Sequence, residues 1–168
     1  MPDKGTMRKA KQDLREGKSP TTAAGEFVHE EIDHIRHGKH GARSTKQAIA
    51  IGLSKARRAG VKLRPPRSGQ ASARTRRSAS NAYREGQSGR QHKTSARRSR
   101  AISRMLRREG HSAASPTSLA RQARSSARRR SSRARSAAAK KAVRTKGPRG
   151  RSEAARKAAR TRTRRRHA

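Results

Sequence analysis

With 168 residues the chain has the length of one domain, but 28% hydrophobic residues, one Phe, one Tyr and no Trp exclude a core of that size. Its formal net charge of +38 is unevenly placed: residues 1–40 carry eight Lys/Arg against seven acids, residues 41–168 forty against three. The absence of cysteine rules out a disulfide framework, a thiolate zinc site and a cysteine nucleophile, and fits a reducing interior.

Taken in order, residues 1–21 form a polar segment with a weak helix over Thr6–Glu16, whose large apolar residues are Met7 and Leu14. No apolar leader segment follows Met1, and nowhere do about eighteen apolar residues run together, so a soluble, cytoplasmic protein is expected. From Thr22, a candidate N-cap, the positions Ala24, Phe27, Val28, Ile32 and Ile35 share one helical face. Glu26, Glu30 and Asp33 are predicted to turn away from it, and Gly38 and Gly41 to bracket a joint.

The next helix is the best specified. Ser44 and Gln47 make a Ser-x-x-Gln capping box, Ala48, Ile49, Gly52, Leu53 and Ala56 a narrow apolar stripe, and Gly60 and Pro65-Pro66 a stop. Gly52 and Ala56 allow close approach to the Phe27/Val28 face. Residues 22–63 are thus predicted to form a small helical hairpin, near the lower size limit for folding unaided.

Beyond Pro66 the composition changes. Residues 64–168 hold five Lys and 29 Arg, with only Ile102, Met105, Leu106, Leu119 and Val143 as large aliphatic residues. A long, disordered basic arm over 64–168 is predicted, with short or conditional helices, one of them between Ser95 and Glu109. Two copies of a twelve-residue pattern, 135–146 and 151–162, repeat at a spacing of 16 around Gly147-Pro148. A pentad Arg-Glu-Gly-x-Ser recurs at Arg15–Ser19, Arg84–Ser88 and Arg108–Ser112, where its glycine is predicted to stop a helix. The fold class expected is mainly α with extensive disorder.

The cluster His29, His34, His37 and His40 has no pair of histidines at the i,i+4 spacing that seats zinc on one helix face. The i,i+4 pairs Glu30/His34, His29/Asp33 and Asp33/His37 read as surface ion pairs. No metal ligands, cofactor, catalytic residues or small-molecule substrate are expected. Serine lacks a nucleophile elbow, and Gly38-Lys39-His40-Gly41 lacks the strand and the Lys-Ser/Thr ending of a phosphate loop. The chain is not expected to be an enzyme.

A basic excess sustained over a hundred residues points to a phosphate polymer. Arginine's planar fork suits phosphate, and Tyr83, the single aromatic of residues 64–168, offers no base-stacking platform, so double-stranded DNA is favoured over RNA. Candidate nucleic-acid contacts are Lys46, Lys55, Arg57 and Arg58 on the hairpin, and Arg97, Arg98, Arg128, Arg129, Arg130, Arg133, Lys140, Lys141, Arg156, Lys157, Arg160, Arg164, Arg165 and Arg166 on the arm. The function expected is binding without sequence preference, with histone-like compaction or protection of DNA in the nucleoid and self-association through the hairpin. An RNA- or ribosome-associated protein, and a protein-interaction hairpin with a tethering arm, are the alternatives. Membrane-surface binding is not expected.

The stretch Arg43-Ser-Thr-Lys-Gln-Ala-Ile-Ala-Ile-Gly-Leu-Ser-Lys-Ala-Arg-Arg-Ala-Gly60, with Glu30–Gly41 before it, resembles a family of small basic bacterial proteins known only as a domain of unknown function. The resemblance covers about residues 20–64 and implies a bacterial source, but no activity or catalytic residues. The arm resembles histone-like tails in composition only.

Overall fold

The structure, a computed structural model, describes residues 2–89 and 95–166. Among these, seven α-helices and one 3-10 turn follow in order: α1 (Lys4–Arg15), α2 (Pro20–Arg36), α3 (Thr45–Arg58), α4 (Ala73–Gln87), α5 (Ala96–Arg108), the turn Ser112–Ala114, α6 (Pro116–Arg128) and α7 (Ser132–Arg166). The expectation of a two-helix hairpin followed by a disordered arm is therefore corrected: helices occupy most of residues 64–168. Alanine, arginine and lysine are strong helix formers, and a like-charge pair at i,i+4 opposes them by only about 0.2–0.5 kcal/mol. The chain divides into two compact units, residues 1–122 and 123–168.

In the first unit α2 and α3 pair as the apolar stripes require. Gly52 is packed so tightly against α2 that a Cβ there would lie 2.7 Å from Val28 Cα and 2.9 Å from the Phe27 carbonyl oxygen. Helix α2 begins earlier than Thr22, with Ser19 as N-cap and Pro20 at the first helical position, where its missing N–H costs nothing. At α3, the Gln47 amide donates to Ser44 Oγ at 3.2 Å, while the Gln47 side chain accepts from the Arg43 amide at 2.9 Å, one residue before the cap.

Small residues build the rest of this unit. Helix α1 docks on α2 through the buried Ala10 and the half-buried Met7, beside Phe27, Ala23, Ala24, Ala56 and Val61. Helix α4 docks on α3 through Ala79, Ala82 and Gly86, the last packed against the Arg57 carbonyl. Gly86 is helical, so the second copy of the pentad is a close approach and not a stop. In the first copy, Gly17, at φ 72°, does end α1.

The segment after α5 returns to the α2–α3 joint. The Gly41 amide donates to the Leu106 carbonyl at 2.8 Å and the Ala42 amide to that of Gly110 at 3.1 Å. Thr45 Oγ1 donates to the Ala113 carbonyl at 2.7 Å and Arg36 Nε to that of Ala114 at 3.0 Å. Ala113 and Ala114 are thereby buried with Ile32, Ile35, Ala42 and Ala48 in a second small core.

In the second unit α7 is broken at Gly147, at φ 63° and ψ 178°, just before Pro148. The two copies of the repeat flank this break, each helical.

Candidate nucleic-acid interface

Residues 64–168 hold 34 Lys/Arg and three acids, Glu85, Glu109 and Glu153, so carboxylates of this segment can neutralise only a small part of its charge. The helices expose that charge. Arg97 and Arg98 stand exposed in the first turn of α5, Arg128 at the end of α6, and Arg129 and Arg130 just beyond it. Arg133, Lys140, Lys141, Arg156, Lys157, Arg160 and Arg164 are exposed along α7. Arg156, Arg160 and Arg164 follow one another at i,i+4, a row with about 6 Å of rise between successive charges. Arg165 and Arg166 lie in the last turn of α7, and their side chains fall outside the described ones.

The four hairpin candidates fare differently. Lys46 is exposed in the first turn of α3. Lys55 Nζ instead lies 2.6 Å from Glu31 Oε2 and 3.4 Å from Glu30 Oε1, both carboxylates being buried on α2. Arg57 is 6% exposed, and its guanidinium donates to the Leu63 carbonyl at 3.1 Å and to that of Leu53 at 3.5 Å. Burial lowers its pKa, since desolvation disfavours the charged form. Arg58 Nε donates to Glu85 Oε2 at 3.0 Å and its Nη1 to Ser54 Oγ at 2.7 Å.

Three of the four hairpin cations thus serve the fold. For Lys55, the prediction that Glu30 faces outward concealed this: Glu30 is 6% and Glu31 0% exposed, and each recruits Lys55. Of the predicted surface pairs, His29 Nδ1 to Asp33 Oδ2 is present at 3.0 Å. His37 Nδ1 instead donates to the Asp33 carbonyl at 2.7 Å.

The sequence reading also missed a basic concavity on α4, lined by Arg76, Arg77 and Arg84 with Ser80 and Asn81. Without an apolar stripe of large residues, nothing in residues 73–87 marked which side of this helix faces outward. Tyr83 on the same helix is half-buried and Phe27 fully buried, which leaves no exposed aromatic ring among Phe, Tyr and Trp for bases to stack on, within the described residues. Among the described residues, no helix is long and apolar enough to cross a membrane.

Residues 3–68 match the model of a family of unknown function (DUF6496), a stretch that takes in α1, α2, α3 and the Pro65-Pro66 loop. The match agrees with the resemblance carried by Arg43–Gly60 and extends it to the N-terminal helix. No curated protein and no solved structure matches the chain.

Proposed function

We propose that this protein binds double-stranded DNA without sequence preference, by neutralising phosphates with the basic helices of residues 64–168, and that it compacts or shields the DNA it covers. The observation that carries the reading is the 34-to-3 excess of cations over acids on helices whose basic side chains are largely exposed. A helix of this kind fits the width of the major groove, and duplex DNA presents one charge per about 1.7 Å of axis. The net charge of +37 on residues 41–168 therefore corresponds to the phosphates of roughly 18 base pairs.

The scarcity of aromatic rings argues against single-stranded partners, which are held by stacking. The third reading, a hairpin that grips a protein partner, loses ground because α1, α4 and residues 113–114 already pack on α2 and α3. Bacterial origin and a place in the nucleoid belong to the same proposal.

Nuclease treatment tests the choice of partner. An untagged chain purified at low salt is expected to carry nucleic acid that DNase removes and RNase leaves. Release by RNase alone would replace the DNA reading with an RNA-associated one.

A further inference from the structure

Acids are scarce in this chain, yet three of its ten converge at one place. Asp3, before α1, and Glu30, on α2, lie close to His34, and Glu31 lies close to both His34 and His40. Within each of these two triads, ligand atoms sit within 4.8 Å of one another. His40 reaches the cluster because α2 ends at Arg36 and Gly38, at φ 72°, reverses the chain. The His34 and His40 rings stand 6.2 Å apart, nearly perpendicular.

The charges there do not close. Among the described residues, Lys55 is the one permanent cation in contact with Glu30 and Glu31, and it is shared between them. Glu31 is 0% exposed, and neither of its oxygens makes a well-directed hydrogen bond; Lys55 Nζ lies 2.6 Å from its Oε2 and His40 Nε2 3.3 Å from its Oε1. Counting the buried Glu30 and Glu31 against Lys55 leaves one negative charge when both imidazoles are neutral, with the exposed Asp3 adding a second at the rim. A buried carboxylate without its full complement of cations is costly.

The tautomer of His40 sharpens the point. Its Nδ1 lies 3.1 Å from the Gly41 carbonyl, which can only accept, so Nδ1 carries the hydrogen. In the neutral ring, Nε2 then turns a lone pair toward the Glu31 carboxylate, and two acceptors at 3.3 Å need a cation between them. A backbone carbonyl on Nδ1 with Nε2 free is also the arrangement that orients metal-bound histidines. Zinc ligands at about 2.0–2.1 Å in a tetrahedron stand about 3.4 Å apart, close to the Glu31–His40 separation.

We propose that Glu31, His34 and His40 form a site for one divalent cation of the zinc class, with Lys55 and Asp3 holding the ligands Glu31 and His34 in place. The ion would join α2 to the loop before α3, and its charge would offset the buried carboxylate that Lys55 leaves uncompensated. Two imidazoles and a carboxylate suit zinc better than calcium or magnesium. The site lies wholly within the stretch that matches the family, and it stands apart from the basic helices on which the DNA reading rests.

The test is calorimetric titration of the untagged full chain, stripped with chelator, with zinc chloride. One zinc per chain is expected with micromolar or tighter affinity, weakened at least tenfold in His40→Ala and in Glu31→Gln and unchanged within twofold in His29→Ala and His37→Ala. Zinc should also raise the melting temperature of the wild type and leave that of His40→Ala where it is. Circular dichroism of each zinc-free variant checks folding, and His34→Gln replaces either variant that proves unfolded. Absence of saturable binding below about 100 µM would overturn the proposal and leave a proton as the bridge between His40 and Glu31. Binding that survives His40→Ala but is lost in His37→Ala would overturn it too, assigning the ion to the His34/His37 pair at the end of α2.

Discussion

Replacing Gly52 by alanine sets two effects of opposite sign against each other. In a helix interior the change gains about 0.5–1 kcal/mol, because glycine loses more backbone freedom on folding. At Gly52 the new methyl would lie 2.7 Å from Val28 Cα, 2.9 Å from the Phe27 carbonyl oxygen and 3.0 Å from the Val28 amide nitrogen, all backbone atoms that no rotamer change can move aside. The helices must separate, which loosens the packing around Phe27, and overpacking of this kind costs about 1–3 kcal/mol or more. The clash wins, with a net loss of about 1–2 kcal/mol.

Gly25 supplies the control. It lies in α2, is exposed, and has nothing within 4 Å of where its Cβ would stand, so Gly25→Ala keeps the gain of about 0.5–1 kcal/mol. Urea unfolding followed by far-ultraviolet circular dichroism and by the fluorescence of Tyr83, the single tyrosine, reads both. The midpoint should fall for Gly52→Ala and rise for Gly25→Ala. A Gly52→Ala chain as stable as the wild type, or more so, would refute the close packing of α2 on α3.

The hairpin cations separate fold from binding. Lys55→Ala strands the buried Glu31 and should cost about 3 kcal/mol, whereas Lys46→Ala, at an exposed position, should stay within about 0.5 kcal/mol; thermal melts distinguish them. Ser44→Ala removes the acceptor of the Gln47 amide and should cost about 1 kcal/mol by the same assay. Deleting residues 132–168 removes 15 Lys/Arg and one acid and should flatten the salt dependence of DNA binding, measured by fluorescence anisotropy, while the melting of the first unit stays unchanged.

What could be read beforehand follows the size of the side chains. Helices α2 and α3 announce themselves through Phe27, Ile32, Ile35 and the Ser44/Gln47 box, and α5 was bounded by Ser95 and Glu109, its two caps in the structure. Helix α1 is foreseen as a weak helix over Thr6–Glu16, but its docking through Ala10 is not, and helix α4 and the return at 113–114 escape because they dock through Ala79, Ala82, Gly86, Ala113 and Ala114. Such residues bring backbones close while adding almost nothing to a hydrophobic pattern. In α6 and α7 the helix propensity of alanine and arginine outweighs the repulsion between like charges.

The basic surface was legible as composition, but the employment of Lys55, Arg57 and Arg58 inside the fold was not. It depends on acids that only the packed helices bring near, Glu30 and Glu31 on α2 and Glu85 on α4, and, for the buried Arg57, on the local Leu53 and Leu63 carbonyls. His34 and His40 are six residues apart, a spacing with no meaning on a helix. The reversal at Gly38 is the signal that could have joined them.

The salt dependence of duplex binding decides whether the basic helices hold DNA through its phosphates. For an untagged chain and 24-base-pair duplexes of unrelated sequence, the slope of log K against log salt should be steeper than about −9, the value for some ten phosphates neutralised, with affinities within a few-fold of one another. A slope shallower than about −3, or a strong preference for one duplex, would rule out binding by phosphate neutralisation without sequence preference.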